Sequence, residues 1–455
     1  MSYHEAGNDA ILSQQANRES SARTYPRHLP LAIHEAQGVT VTDMDGNEYY
    51  DCLAGAGTLA LGHNHPRVVE AMERVLDADR PVHTLDISTP AKERFVDSLF
   101  QSLPNDFSNS AKVQFCSPAG TDAVEAALKL VKTATGNRSI LGFQGAYHGM
   151  TSGALSLMGD TDAKEPISGL MNDVHHLPYP YEYRCPFGVG GEESHRVAST
   201  YVENLLDDPE SGVTDPAGMI LEPVQGEGGA VPAPTEWLQE MRRITHERDI
   251  PLVLDEIQAG LGRTGEIYAF EHADIIPDVM TLSKAIGGGL PLAVVVYDEE
   301  LDVWEPGAHA GTFRGNQLAM AAGEATIDYV LEHNLADHAA AMGERLRNYL
   351  ESVAHLDAVG DVRGQGLMLG VEFVDPELEW QGAGPHAPDA DFAEAVQAEC
   401  FDRGLILELG GRGSATARFL PPLIVSKDDV DDVGRIFVEA VEAIANAASG
   451  TVVAA

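Results

Sequence analysis

The chain has 455 residues, 44% of them hydrophobic, and a formal net charge of −42 at pH 7. So strong an acid excess excludes nucleic acid and anionic membrane surfaces as expected partners. The apolar content suffices for two or three domains, or for one large and one small lobe. No apolar run is long enough to span a bilayer. The first nine residues contain neither the basic nor the apolar region of a secretory signal, and Cys52, Cys116, Cys185 and Cys400 are scattered without a C-x-x-C pair, so a cytoplasmic protein with reduced thiols is expected.

Residues 1–24 are polar and lack clear periodicity, which reads as a mobile arm or a short helix. Tyr25 to Asp51 suits short strands: Val39–Thr42, a turn at Asp45-Gly46-Asn47, then Glu48–Tyr50. His63 and His65 could suggest a metal, but no third ligand pattern accompanies them. They read instead as a loop feeding a helix over Arg67–Ala78. Ala111–Cys116 is a strand, and Ser117-Pro-Ala-Gly120-Thr121-Asp122 turns directly into a helix over Ala123–Lys132. Small residues and hydroxyls at a helix start expose N–H groups that bind phosphate, although Ser, Thr and Asp also serve as ordinary caps. A strand over Ser139–Phe143 leads to Tyr147-His148-Gly149-Met150, where the aromatic either stacks on a flat ligand ring or packs in the core. The turn-rich stretch Pro178–Gly191 reads as a functional or interface loop. A buried strand over Ala217–Glu222 ends in the loop Pro223–Gly229.

The most informative stretch follows. Pro251–Asp255 is an apolar run ending in Asp255-Glu256, a buried strand with its acids at the carboxyl end, where open α/β sheets bind ligands. Thr281-Leu-Ser283-Lys284-Ala-Ile-Gly-Gly-Gly289 then offers one lysine in an apolar segment, in a chain of seven lysines and twenty-two arginines. A desolvated lysine can act as nucleophile or base near neutral pH, whereas a snorkelling surface lysine cannot. Two cofactor readings compete. Gly260-Leu-Gly262-Arg-Thr-Gly265 satisfies G-x-G-x-x-G, but no helix opens after it and Asp255 precedes the glycines, against the dinucleotide pattern. Pyridoxal phosphate instead needs a lysine for its aldehyde, a carboxylate for its ring nitrogen and a phosphate cradle; Lys284 and Asp255 fit the first two.

Helices are expected over Gln317–Glu332, Leu335–Val353, Phe392–Arg403 and Lys427–Ala447, the last capped by Ser426. Strands are expected over Gly364–Phe373 and Leu405–Leu409 and before Pro421, with a loop over Asp375–Asp389.

The order of Ser117-Pro-Ala-Gly120-Thr121, Tyr147-His148-Gly149, Glu222-Pro-Val-Gln-Gly-Glu227, Asp255-Glu-Ile-Gln258, Ser283-Lys284 and Gly311-Thr312-Phe-Arg-Gly-Asn316 resembles class III, or ω-amino, aminotransferases over about residues 25–445. The resemblance implies an α/β fold type I pyridoxal phosphate transferase. Its mostly parallel central sheet would lie in a large domain over 61–330, with a smaller α+β domain built from the segments 1–60 and 331–455. It implies that Lys284 carries the cofactor aldehyde and later moves the proton, and that Asp255 pairs with the ring nitrogen. Gln258 would meet the ring hydroxyl, Tyr147 would stack on the ring, Gly120 and Thr121 would hold the phosphate, and Glu222 would join the cofactor site. Thr312 would come from the neighbouring subunit, so a homodimer or higher oligomer is expected. Arg418 would bind a glutamate carboxylate and pair with Glu227 when the other substrate is present; a permanent ion pair, or no contact, is the alternative.

Within the family the chain most resembles the branch acting on L-2,4-diaminobutyrate and 2-oxoglutarate, through Ala54–His63, Val124–Leu130 and Tyr179–Gly188. Relatives acting on ornithine or acetylornithine carry arginine after the glycine of the Tyr147-His148-Gly149 motif. Here Met150 stands in that place, and a thioether cannot clamp a carboxylate. The expected partners are thus an amino donor and a 2-oxo acid. The alternatives are 4-aminobutyrate transamination, aminomutase or decarboxylase chemistry on the same cofactor, and a catalytically idle cofactor-binding protein.

Few lysines and abundant acids also resemble proteins of salt-accumulating halophiles. Surface acids that repel one another in dilute buffer are screened by salt. The unfolding midpoint is therefore expected to rise from dilute buffer to molar potassium chloride; a flat or falling midpoint would remove the halophile reading.

Overall fold

The computed structural model describes residues 7–448. Its middle is a seven-stranded sheet in the order Ala111–Phe115, Val294–Asp298, Val279–Leu282, Leu252–Asp255, Pro216–Leu221, Ser139–Phe143, Val174–Leu177. Val294–Asp298 runs antiparallel to both neighbours, and every other adjacent pair is parallel. The inner strands read as unbroken apolar runs because both faces are covered. On one face the helix Gly120–Thr135 packs Val124, Ala127 and Val131 against Ile220, Val253 and Val295. In the core of the other face the Trp237 ring lies 5.1 Å from that of Phe143 and 5.5 Å from that of Tyr179.

Two smaller sheets combine the ends of the chain. Ile33–Gln37, Thr40–Asp43 and Glu48–Asp51 pair in sequence, and Leu405–Ile406 joins them parallel to Glu48–Asp51. Val359–Gln365, Met368–Asp375, Thr416–Phe419 and Glu408–Gly410 form an antiparallel sheet. The single strand expected over Leu405–Leu409 is thus two strands in different sheets. Leu407 lies between them, fully buried, and its carbonyl, which belongs to neither ladder, accepts from Gln397 Nε2 at 3.0 Å. Within 1–24 the structure shows an α-helix over Asn8–Arg18, tied to the first strands by Asn8 Nδ2 donating to Asp43 Oδ2 at 2.7 Å; residues 1–6 lie outside the described part.

Three local expectations acquire physical reasons. Gly262 and Gly265 have φ of +89° and +104°, which strains any other residue, and a Cβ on Gly265 would lie 3.2 Å from that of Ala340 on the helix Leu335–Ser352. These glycines therefore admit a helix, not a pyrophosphate, and a 3₁₀ turn over Ala269–Ala273 follows. Glu256 accepts from the N–H groups of Ala269 (3.0 Å) and Phe270 (2.9 Å), and burial pushes its carboxyl up to about 8. The loop Pro178–Gly191 is packed inward through Tyr179, Tyr181, Arg184 and Cys185. Tyr181 and Arg184 both bond Glu372 on Met368–Asp375, and Arg184 Nη1 donates to the carbonyls of Ala383 and His386 at 2.9 Å. As for the two histidines, His63 bonds Asp51 at 2.8 Å and His65 packs edge-on against Tyr329.

Candidate active site

An open cavity of about 290 Å³ lies at the carboxyl ends of the central strands, lined among others by Gly120, Tyr147, Asp255, Gln258 and Lys284. Asp255 ends its strand with a side chain only 4% exposed. Its Oδ1 accepts from Thr281 Oγ1 at 3.0 Å and from the Ile257 N–H at 3.1 Å; Oδ2 accepts from His148 Nδ1 at 2.7 Å. Three donors thus meet the two oxygens of one buried side chain and fix where it points. Burial opposes a charge on His148, but the hydrogen bond and charge of Asp255 outweigh it and raise the imidazole pKa. His148 thus stands behind Asp255, a role the sequence reading gave to no residue although the histidine sits inside the Tyr147-His148-Gly149 motif.

Lys284 follows Val279–Leu282, the strand beside that of Asp255, and opens a 3₁₀ turn over Lys284–Gly287. Its φ of +48° is in the left-handed region, which costs a non-glycine residue roughly 1–2 kcal/mol. Ser283 anchors this bend, its Oγ donating to the Leu292 carbonyl at 2.8 Å. Burial lowers the Lys284 pKa, while Glu227 pulls it the other way. The neutral amine needed for nucleophilic attack or proton transfer is thereby more accessible than on an exposed lysine.

The remaining wall suits a phosphate and a flat ring. The helix Gly120–Thr135 begins at Ala119, which has no side-chain cap, so its first N–H groups meet the cavity. Asp122 reaches back to the Ala119 N–H at 2.9 Å. A Cβ on Gly120 would lie 3.0 Å from the Ile257 side chain, so a bare backbone is what the crowding allows. Thr121 Oγ1 is 2.6 Å from Thr151 Oγ1. Glu222 accepts from the N–H groups of Tyr147 and Gly226, both at 2.9 Å, and holds the Tyr147 backbone at the cavity edge; burial pushes this carboxyl up to about 7. Gln258 lines the cavity and donates to the Ala56 carbonyl at 3.1 Å.

Arg418 lies on Thr416–Phe419, almost wholly buried. Its Nη2 donates to Glu227 Oε2 at 2.8 Å, and Nη1 reaches Gln258 Oε1 at 3.5 Å. Glu408 Oε2 is 2.7 Å from the same Nη2, a second acid that the sequence reading passed over. Burial and the acid–arginine contacts act in opposite senses on these groups: Arg418 pulls the Glu227 carboxyl below its ordinary range, whereas burial keeps that of Glu408 above it. Met150 lines the cavity and is 58% exposed. Thr312 is outside the cavity, on an exposed 3₁₀ turn over Thr312–Gly315. All the other expected site residues are brought together.

A buried, hydrogen-bonded carboxylate and a desolvated lysine at one end of a mostly parallel sheet, with beside them a helix start that has no side-chain cap, fit pyridoxal phosphate at its ring nitrogen, aldehyde and phosphate. The fold and site define a fold type I pyridoxal phosphate enzyme. Within that class the chain belongs to the aminotransferase class-III family, whose model matches residues 21–441. It is 54% identical to the diaminobutyrate–2-oxoglutarate aminotransferase of Rhizobium meliloti, covering 98% of this chain and 95% of that one. With the Haemophilus influenzae protein of the same name it shares 47% over 96% of each chain. Among solved structures, the ornithine aminotransferase of Toxoplasma gondii superposes with a TM-score of 0.81 at 25% identity, covering 97% of this chain and 96% of that one. An ω-transaminase of Thermomicrobium roseum gives 0.84 at 25% identity, covering 96% and 99%.

Lys284 is the one lysine lining the cavity. Borohydride reduction of the cofactor-loaded protein is therefore expected to fix the label on Lys284, and Lys284→Ala to abolish amino transfer. A label mapped to Lys129, Lys132 or another lysine would refute the assignment.

Proposed function

We propose that the protein exchanges the terminal amino group of L-2,4-diaminobutyrate with 2-oxoglutarate, giving L-aspartate 4-semialdehyde and L-glutamate, with biosynthesis running in reverse. The names of the relatives at 54% and 47% identity support the substrates. The observation that carries the reading is the buried Arg418 held by Glu227 at 2.8 Å on the cavity side. One site must accept glutamate, with a carboxylate beside the reacting amine, and a terminal amine that has none there. With glutamate, Arg418 takes that carboxylate and Glu227 moves away. With diaminobutyrate, Glu227 closes on Arg418, so neither charge is left buried alone.

The cofactor, when bound, supplies an electron sink for the carbon that loses its proton. In this reading Lys284 holds the cofactor and afterwards moves the proton, Asp255 pairs with the ring nitrogen, and His148 keeps Asp255 aimed. Tyr147 lies against the ring, Gln258 bonds its hydroxyl oxygen, Glu222 fixes the Tyr147 backbone, and Gly120 and Thr121 hold the phosphate. Thr312 completes the cradle from a second copy, making a homodimer the working unit. That dimer is supported by the exposed apolar side chains of Val82, Leu85, Ile87 and Phe313 around Thr312, whose carbonyl oxygen is 2.6 Å from His83 Nε2. The large domain over 61–330 and the smaller one from both ends, a cytoplasmic site and a salt-rich milieu complete the proposal. Consistent with a protein outside the bilayer, no helix among the described residues is long and apolar enough to cross a membrane.

Two experiments test this function. In single-turnover reactions Glu227→Gln is expected to preserve or quicken the glutamate half-reaction and slow the diaminobutyrate one. Arg418→Ala does the opposite, weakening glutamate and 2-oxoglutarate by roughly a hundredfold. Equal losses for both substrates in both variants would make the pair purely structural. The kcat/KM values with 2-oxoglutarate as acceptor are expected to place diaminobutyrate first, with ornithine and 4-aminobutyrate about tenfold or more behind, since 4-aminobutyrate lacks the distal amine that the site would bond and ornithine adds a methylene. Acetylornithine is expected to be poorest. Parity of 4-aminobutyrate or acetylornithine with diaminobutyrate would leave only the family assignment standing.

A further inference from the structure

Two carboxylates share one guanidinium nitrogen: Glu227 Oε2 at 2.8 Å and Glu408 Oε2 at 2.7 Å from Arg418 Nη2. They are held very differently. Glu227 stands in a loop between Gly226 and Gly228-Gly229, beside the cavity, with its side chain 32% exposed. Glu408 is on the strand Glu408–Gly410, directly opposite Arg418 in the antiparallel register, with its side chain 10% exposed. Tyr25 Oη donates to its other oxygen, Oε1, at 2.9 Å. Gly410 crowds the same arginine, since a Cβ there would lie 2.6 Å from Nε. Glu227 therefore has the open cavity to turn into, whereas Glu408 is enclosed and its second oxygen is held by Tyr25.

A buried arginine that loses its last counter-ion carries an uncompensated charge, which is strongly unfavourable. If Glu227 were the sole partner, its departure would create that state before a substrate carboxylate arrived. We infer that Glu408 is a positioning residue for Arg418: it keeps the guanidinium paired and in place across the strand pair while Glu227 and a substrate carboxylate exchange on the cavity side. This rests on the reading of Glu227–Arg418 as an exchangeable pair. Tyr25 fixes the second oxygen of Glu408, so the N-terminal segment contributes to the same device.

The test uses the cofactor-loaded enzyme and follows each half-reaction by the change in cofactor absorbance. Glu408→Gln keeps the shape and the acceptor for Tyr25 but removes the charge. It is expected to slow the glutamate half-reaction by roughly tenfold or more and the diaminobutyrate half-reaction by about threefold or less, because only the former requires Glu227 to leave. Glu408→Asp is expected to restore part of the glutamate rate. Tyr25→Phe, at a half-exposed position that leaves the charge in place, is expected to show the same split at about two- to threefold, and carries the test if Glu408→Gln does not fold. Equal losses in both half-reactions, or none in either, would overturn the inference. Glu227→Gln measured in parallel separates the two failures: a split there without one at Glu408 sinks the inference alone, whereas no split at Glu227 sinks the exchange itself. If wild type refuses diaminobutyrate, 4-aminobutyrate replaces it in the amine arm.

Discussion

Everything in the site depends on holding one buried carboxylate in place at the cavity wall. Asp255 sits at the end of a central strand, and its two oxygens are held by the Ile257 N–H, the Thr281 hydroxyl and the His148 imidazole. Each supporter comes from a different piece of chain, so the central sheet order itself is what brings them together. The neighbouring acids make the point by contrast. Glu222 and Glu256 are as deeply buried, each accepts two backbone N–H groups, and burial still pushes them up to about 7 and 8. They serve as acceptors that shape loops, whereas Asp255 is aimed by side chains from two other segments.

The second electrostatic problem is met differently. Arg418 is buried, yet two acids and a glutamine carbonyl surround its guanidinium. An arginine so placed can change one partner without becoming a lone charge in a low dielectric. In the proposed exchange the acids divide the work by their setting: a glycine-flanked loop for the one that would move, a paired strand for the one that would stay.

Much of this was legible in the sequence, and the reasons for the rest are particular. Asp255 was legible because it ends a short apolar run, as a buried strand does, and Lys284 because it is the one charged residue in a small, apolar segment. The helices Gln317–Glu332 and Leu335–Ser352 were legible from their spacing. Glu408 was not, because it sits inside a run that reads as one strand, Leu405–Leu409, and only the change of sheet at Leu407 aims it at Arg418. Nor was the inward packing of Pro178–Gly191, since a turn-rich composition does not disclose that Arg184 and Tyr181 meet Glu372 almost 190 residues away. Such contacts depend on long-range topology, which local pattern cannot encode.

That topology also sets an order of events at birth. Glu48–Asp51 leaves the ribosome early, but its parallel neighbour Leu405–Ile406 is made only near the end. With about 350 residues between them and synthesis at roughly 5–20 residues per second, the first strands wait on the order of 20–70 s with an open edge. During that interval they are a template for wrong pairing with other nascent chains. The acid excess of this chain works against that pairing, since like-charged copies repel one another.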